Sequence, residues 1–286
     1  MIKKIVFMGS PDFACFSLNA LIEQYPNTKI TVISQPDKAQ GRGKKIKATD
    51  VKLLACEKNL EVHTPESKDE LATLVTSIHP DLILVVAYGM IIPSTITDQY
   101  LCINIHGSLL PKYRGASPVQ AALLNGDSET GITLIKLNER MDAGPILATA
   151  STTIPETSSF ESLYNDLGKL GARTLIEFLD KHWPLSTDIE IPQTEADASY
   201  CKKILKSDTE LLQTDSAETK YNKIRAFSPK PGAYMIHNNK RLKILEATLR
   251  DGECIPKIVQ PEGKNAMNFH DYCCGHPGAK EILNAK

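Results

Sequence analysis

The sequence predicts an α/β protein, and two observations carry that prediction. Through roughly the first 180 residues, short apolar runs typical of strands alternate with amphipathic runs typical of helices, which favours a sheet built from strand–helix units. Most of the short runs are apolar on both faces, as strands covered by helices on either side must be. We therefore expect an open, mostly parallel, Rossmann-like sheet, followed by a second, smaller, β-rich domain.

The elements of the first domain follow from this pattern in order. Its candidate strands lie at residues 4–8, 29–34, 60–63, 81–87, 101–105 and 131–137. Its helices are expected at 13–22, 71–78 and 158–179. Ser10 and Pro11 supply an N-cap and a proline at the first helical position. Ser67, with Glu70 three residues later, forms a capping-box pattern before the second helix.

The sequence changes character after Trp183, where a polar, proline-marked stretch and then a basic one replace the alternation. The predicted parts are a first domain at 1–183, a linker at 184–206 and a second domain at 207–286. In the second domain, one short helix at 216–226 precedes two hairpin-like runs, 233–237 and 241–245. The Asn238-Asn239 pair between these runs predicts a tight turn.

Composition narrows the possible functions. The chain has 286 residues and a formal net charge of -1, so any affinity for nucleic acid must come from a local patch. No apolar run reaches the length of about 18 residues that a membrane helix needs, and the first residues carry no signal-peptide pattern. The seven cysteines form no C-x-x-C pair, which favours reduced thiols. We expect a cytoplasmic monomer without a membrane segment.

The run around the fifth candidate strand carries the main functional signal. Asn104 and His106 alternate with apolar residues, so both side chains lie on one face of the strand. They sit at the carboxyl end of the strand, where ligands of open α/β sheets bind. Asp142, in the turn after the next strand, is placed to orient the imidazole. On this pattern alone an ordinary turn aspartate, and polar side chains satisfied by loop backbone, remain alternatives.

Six segments resemble a known family and together span both domains. They are VFMGSPDFA at 6–14, QPDKAQGRGKK at 35–45, VVAYGMIIP at 85–93, NIHGSLLPKYRGASPVQAALLNGDSETGITL at 104–134, MDAGPIL at 141–147 and RAFSPKPGAY at 225–234. With them the chain resembles the methionyl-tRNA formyltransferase family, within the wider class of enzymes that use 10-formyltetrahydrofolate. The GRGKK loop and the MDAGP and GASPVQ segments point to the tRNA member rather than to a sugar-modifying relative.

The resemblance implies transfer of a formyl group from 10-formyltetrahydrofolate to the α-amine of methionine on initiator tRNA. It assigns catalysis to Asn104, His106 and Asp142, with a donor aimed at the oxygen that gains negative charge. Direct transfer between two bound substrates implies neither a metal nor a covalent enzyme intermediate.

The resemblance also assigns binding residues. Tetrahydrofolate is expected at Ser108, Leu109, Leu110, Pro111, Val86, Tyr88, Gly89 and Ile91. The Leu110–Pro111 bond is expected to be cis, a device for a fixed turn. Initiator methionyl-tRNA is expected at Lys38, Arg42, Lys44 and Lys45 in one basic loop, and at Lys223, Arg225 and Lys230 in the second domain. A merely solvated basic loop is the alternative for the first group.

The chain departs from the family after Leu249, where the OB-like C-terminal barrel looks shortened. The tail group His270, Cys273, Cys274 and His276 is packed too closely along the chain for a tetrahedral zinc site, so no metal is expected. Three other functions stay open. They are a sugar-nucleotide N-formyltransferase, a glycinamide ribonucleotide formyltransferase, which normally lacks a second domain, and a non-catalytic folate- or RNA-binding module.

Overall fold

The computed structural model describes residues 2–40, 45–279 and 282–283. The strands are β1 (Lys4–Gly9), β2 (Lys29–Ile33), β3 (Lys38–Gln40), β4 (Lys45–Lys47), β5 (Glu61–His63), β6 (Leu82–Val86), β7 (Cys102–His106), β8 (Arg114–Gly115), β9 (Glu129–Lys136), β10 (Ile146–Thr153), β11 (Tyr200–Cys201), β12 (Ala233–His237), β13 (Lys240–Arg250), β14 (Glu253–Pro261) and β15 (Met267–Asn268). The helices are α1 (Asp12–Gln24), α2 (Asp50–Glu57), α3 (Lys68–Ile78), α4 (Ser94–Thr97), α5 (Pro118–Leu124), α6 (Phe160–His182), α7 (Ala217–Phe227) and α8 (Phe269–Gly275).

The main sheet has seven strands in the order β10-β9-β7-β6-β1-β2-β5. The five strands from β7 to β5 are parallel, and β9 runs antiparallel to β7 with Thr133 opposite His106. The predicted open, mostly parallel sheet is confirmed. The strand order reverses between β1 and β6, because the chain passes outwards through β2 to β5 and then returns to β6 on the other side of β1. The carboxyl ends of the parallel strands lie along one edge, where the loops after β6 and β7 begin.

The chain divides into two compact units that are interleaved in sequence. Within the described residues, the first unit takes Met1–Gly115, Gly131–Thr152 and Asn165–Tyr200, and the second takes Ala116–Thr130, Thr153–Tyr164 and Cys201–Lys286. This division differs from the sequence-based one. Most of the expected linker at 184–206 belongs to the first unit, and α5 belongs to the second, where it packs against α7.

The helix starts follow the sequence in part. Ser67 caps α3 by accepting the amide hydrogen of Glu70, whereas the Glu70 carboxylate accepts from Glu66 instead of closing a reciprocal box. The expected cap at α1 is wrong, because Pro11 occupies that position. The Ser10 hydroxyl donates to the carbonyl of Tyr88 at 2.9 Å, so it links the ends of β1 and β6.

The second unit is built on a four-stranded antiparallel sheet in the order β12-β13-β14-β15. Asn238 and Asn239 join β12 to β13 with φ of 51° and 58°, as the turn signal predicted. The sequence analysis did not foresee β10, the β3–β4 hairpin or β14.

Among the described residues, no helix is both long and apolar enough to cross a membrane.

Candidate active site

Strand β7 carries Asn104 and His106 on one face of the main sheet. Both are buried, with 9% and 5% of their surfaces exposed. Helix α6 covers the opposite face, because a Cβ added at Gly171 would lie 3.1 Å from Ile105. Within the described residues no protein group hydrogen-bonds the side-chain amide of Asn104, so its two N–H donors remain available to a ligand.

The His106 ring lies between a backbone carbonyl and a carboxylate. Its Nε2 is 2.9 Å from the carbonyl oxygen of Tyr113, and since that oxygen only accepts, Nε2–H is the donor. Its Nδ1 faces the Asp142 carboxylate, with 3.6 Å between Nδ1 and Oδ2. The structure therefore brings together two of the three predicted catalytic residues directly and places the third two positions along the same strand face.

Asp142 is fixed by its backbone and by a neighbouring amide. Its φ of 51° lies in the left-handed region, which aspartate tolerates better than most residues. The N–H of Gly115 donates to Oδ2 at 2.9 Å. This leaves Oδ1 without a partner among the described residues and able to accept a proton or a water.

The turn after β7 contains four of the predicted folate residues, and buried hydrogen bonds hold it. The Ser108 hydroxyl donates to the carbonyl of Lys112 at 2.6 Å. The Thr133 hydroxyl donates to the carbonyl of Ser108 and accepts from the amide of Leu110, at 2.7 and 3.0 Å. The Leu110–Pro111 bond is cis, as expected. The hydroxyls of Ser108 and Thr133 hold the backbone of this turn, so its shape is set before a ligand arrives.

The other predicted folate residues follow β6 and alternate between core and solvent. Val86 and Tyr88 are buried, and burial raises the pKa of Tyr88 to about 12. Gly89 is exposed with a φ of 85°, and the Ile91 side chain is 65% exposed. The segment thus offers backbone groups and one apolar surface to a flat ligand.

A buried arginine lies behind this site, and the sequence analysis assigned it no role. Arg114 is fully buried and binds Glu195 through both terminal nitrogens. The guanidinium groups of Arg114 and then Arg140 hold the pKa of Glu195 down to about 2. The only sequence signal was an arginine in the proline- and glycine-containing loop after β7.

Two of the basic residues predicted in the first unit lie on the paired strands β3 and β4. Lys38 in β3 and Lys45 in β4 are both exposed. The Lys38 ammonium donates to Gln35 at 3.1 Å. Arg42 and Lys44 lie outside the described residues.

The basic residues predicted in the second unit have different surroundings. Lys223 is paired with Asp215 at 2.6 Å, and Arg225 is buried against Asn222 and the ring of Tyr221. Desolvation lowers the pKa of Arg225. These two cations serve the packing of α7, contrary to their expected exposure, whereas Lys230 is exposed. Further exposed lysines occur in a stretch that the sequence already marked as basic: Lys202, Lys203 and Lys206.

The four tail residues considered as zinc ligands do not form one cluster of side chains. Cys273 is buried, His270 and Cys274 are exposed, and His276 stacks on Tyr272. Within the described part of the chain, no three His, Cys, Asp or Glu side chains come together as metal ligands would.

Comparison with known proteins gives a consistent answer. A family model described as formyl transferase matches residues 3–179, and one described as formyl transferase, C-terminal domain, matches 203–255. A methionyl-tRNA formyltransferase of Kosmotoga olearia is 43% identical over 257 residues, covering 88% of this chain and 82% of the relative.

Solved structures share the fold. The methionyl-tRNA formyltransferase from Clostridium thermocellum matches with a TM-score of 0.60 at 20% identity, over 91% of this chain and 98% of that one. WlaRD, a sugar 3N-formyltransferase solved in the presence of dTDP and 5-N-formyl-THF, matches with a TM-score of 0.67 at 21% identity, over 93% of this chain and 100% of that one.

Proposed function

The chain belongs to the formyl transferase family, and from that premise we propose that it formylates methionyl-tRNA. The donor is 10-formyltetrahydrofolate, and the acceptor is the α-amine of methionine esterified to initiator tRNA. The observation that carries this proposal is the cluster at the end of β7. There the Asn104 amide shares a strand face with His106, whose Nδ1 lies 3.6 Å from Asp142.

The amide and the imidazole suit the charge that develops during transfer. When the neutral amine attacks the formyl carbon, the carbonyl oxygen becomes negative and needs a fixed donor nearby. Asn104 supplies an N–H that no described protein group uses. A proton on Nδ1 of His106 would face the Asp142 carboxylate, and the ring would then place positive charge beside the oxyanion. Together these groups stabilise the tetrahedral adduct.

Asp142 suits the proton transfers that complete the reaction. The adduct collapses when the bond between the formyl carbon and N10 of the folate breaks. The departing N10 gains a proton, and the attacking amine loses one, so the two transfers balance. Oδ2 of Asp142 is held by Gly115, which leaves Oδ1 to pass the proton through a water. No covalent bond to the protein is required.

The loops after β6 and β7 supply the folate site in this proposal. The exposed Gly89 and Ile91 offer backbone groups and an apolar wall to the pterin. The turn of Ser108 to Pro111, locked by Thr133, bounds the other side of the ring. Val86 and Tyr88 are buried in the core, so in this proposal they support the segment from beneath.

The exposed lysines supply the electrostatic part of tRNA binding. Lys38 and Lys45 extend from one hairpin of the first unit, and Lys230 lies on the second unit. None of the three forms an ion pair with a described acidic residue, so each can meet a phosphate. Arg42 and Lys44, which lie outside the described residues, are proposed as contacts from sequence alone.

All proposed catalytic groups come from one unit of one chain, so a monomer suffices. A cytoplasmic location follows from the substrate.

The direct test is formation of N-formylmethionyl-tRNA from 10-formyltetrahydrofolate and charged initiator tRNA. A parallel reaction offers a nucleotide-linked amino sugar in place of the tRNA. We expect formyl transfer to tRNA and none to the sugar. Transfer to the sugar alone would overturn the proposed acceptor, and transfer to neither would overturn the proposed activity.

A further inference from the structure

We propose that Arg114 and Gln193 are positioning residues that hold His106 and Asp142 in register for formyl transfer. The inference rests on the proposed function and adds two residues to it. Both act through other groups.

The peptide units on either side of Arg114 hold the two catalytic side chains. The carbonyl before it, of Tyr113, accepts from Nε2 of His106, and the amide after it, of Gly115, donates to Oδ2 of Asp142. Tyr113 and Gly115 have φ of 60° and 119°, both in the left-handed region. A side-chain-bearing residue such as Tyr113 holds that conformation only when its surroundings impose it. The path of the chain at Arg114 therefore sets the separation of imidazole and carboxylate.

The side chain of Arg114 supplies that constraint. Its guanidinium is fully buried, and its contacts account for all five N–H donors. Nε and Nη2 donate to Oε1 of Gln193, Nη2 and Nη1 donate to the two oxygens of Glu195, and Nη1 also donates to the hydroxyl of Tyr200. A planar group held by three partners cannot rotate without breaking several hydrogen bonds.

Gln193 carries the constraint across to Asp142. Its Nε2 donates to the carbonyl oxygens of Asp142 and Gly144, at 2.8 and 2.7 Å. Its Oε1 accepts both hydrogens from Arg114, so every polar position of the amide is used. The turn itself is tight, because a Cβ added at Gly144 would lie 1.8 Å from the carbonyl oxygen of Lys136. Arg114 thus fixes Asp142 from both sides, through Gly115 and through Gln193.

The chain offers a matched control for mere anchoring. Lys136 and Glu190 form an ion pair at 2.7 Å that ties the same segment to β9 without touching a catalytic residue. Glu190→Gln removes only the ion pair with Lys136. Gln193→Met removes the hydrogen bonds to Arg114 and also those to the carbonyls of Asp142 and Gly144.

The experiment measures kcat and KM for both substrates in the full-length chain. We expect Gln193→Met to lower kcat by about 10- to 100-fold, because a shift of about 1 Å in a catalytic group has that effect. KM for each substrate should stay within about twofold, and Glu190→Gln should behave as wild type. Wild-type kcat in Gln193→Met overturns the proposal. If Gln193→Met does not fold, Gln193→Glu takes its place, because it keeps the acceptor for Arg114 and loses both donors to the turn.

A double-mutant cycle separates positioning from general destabilisation. If Gln193 acts through Asp142, adding Gln193→Met to Asp142→Asn should lower kcat by less than about twofold further. If Gln193→Met lowers kcat by the same factor in the Asp142→Asn variant as in wild type, the proposal is contradicted.

An NMR measurement that does not depend on catalysis distinguishes failure of this proposal from failure of the proposed function. Gln193→Met should move the ¹⁵N signals of the His106 ring, and Glu190→Gln should not. Movement of these signals in a chain that cannot formylate tRNA would refute the proposed activity and leave the positioning network standing. Unmoved signals in Gln193→Met refute the network.

Discussion

Replacing Thr133 with valine removes the one hydroxyl that hydrogen-bonds β9 to the turn of Ser108 to Pro111, which is the proposed folate-binding turn. That hydroxyl donates to the carbonyl of Ser108 and accepts from the amide of Leu110, and Thr133 is fully buried. Valine has nearly the same shape, so packing changes little while two backbone groups lose a partner. Each unpaired buried group costs about 1–3 kcal/mol, and some relaxation is expected, so the free energy of unfolding should fall by roughly 2–4 kcal/mol.

Thr174 supplies the matched control. It is also a buried threonine of the first unit, and its hydroxyl donates to the carbonyl of Leu170, a carbonyl that also lies within the α6 hydrogen-bonding pattern. Thr174→Val should therefore lower the free energy of unfolding by less than about 1 kcal/mol.

Fluorescence of Trp183, the single tryptophan, follows unfolding of the first unit in urea. Thr133→Val should lower the urea midpoint by roughly 1 M or more, and Thr174→Val should barely move it. Thr133→Val should also raise KM for the folate, because the turn is no longer preset. Equal midpoints for the two variants would refute the idea that Thr133 locks the turn.

Three further outcomes are expected. Arg114 and Arg140 lower the pKa of Glu195 to about 2, so the stabilisation from this ion-pair cluster is complete above a pH of about 4.5 and is lost as the pH falls through about 2. The difference in the free energy of unfolding between wild type and Glu195→Gln, measured in urea, should therefore narrow on acidification. A constant difference would count against the cluster. Lys223→Met should lower the free energy of unfolding of the second unit by about 1–3 kcal/mol with little effect on tRNA binding. Lys230→Ala should raise KM for charged tRNA without loss of stability. The reverse pattern would show that Lys223 is the surface contact. Raising salt from about 50 to about 200 mM should weaken tRNA binding by about tenfold or more, and a flat response in a filter-binding assay would exclude the electrostatic surface.

The placement of the proposed catalytic residues was predictable from the pattern of one strand. An amide and an imidazole at alternate positions of a buried run, followed at once by a loop, are poorly explained as core. The structure places both on one face and brings Asp142 to His106. The mostly parallel sheet also followed from the alternation of strands with helices.

The support behind the site was not predictable in the same way. Arg114 and Gln193 are separated by 79 positions, and Gln193 lies in a stretch that composition marks only as a linker. No periodic pattern links an arginine in one loop to an amide in another. Only the folded chain reveals that this stretch is part of the first unit.

The two misjudged surface cations have a similar cause. Lys223 and Arg225 lie in a segment without acidic residues, which favours exposure. Asp215 lies just before α7, and Asn222 lies one helical turn before Arg225, so both cations have nearby partners once α7 forms. Ser10 was likewise taken for a helix cap, although its hydroxyl donates to the carbonyl of Tyr88, in the segment after β6.

The central claim is that the Asn104 amide stabilises the oxyanion during formyl transfer to methionyl-tRNA. Single-turnover formation of N-formylmethionyl-tRNA by wild type and Asn104→Ala, with tetrahydrofolate affinity measured on the same samples, tests it most directly. The rate should fall by about 10²- to 10³-fold, with folate affinity unchanged. A variant that formylates charged tRNA at the wild-type rate would contradict the claim.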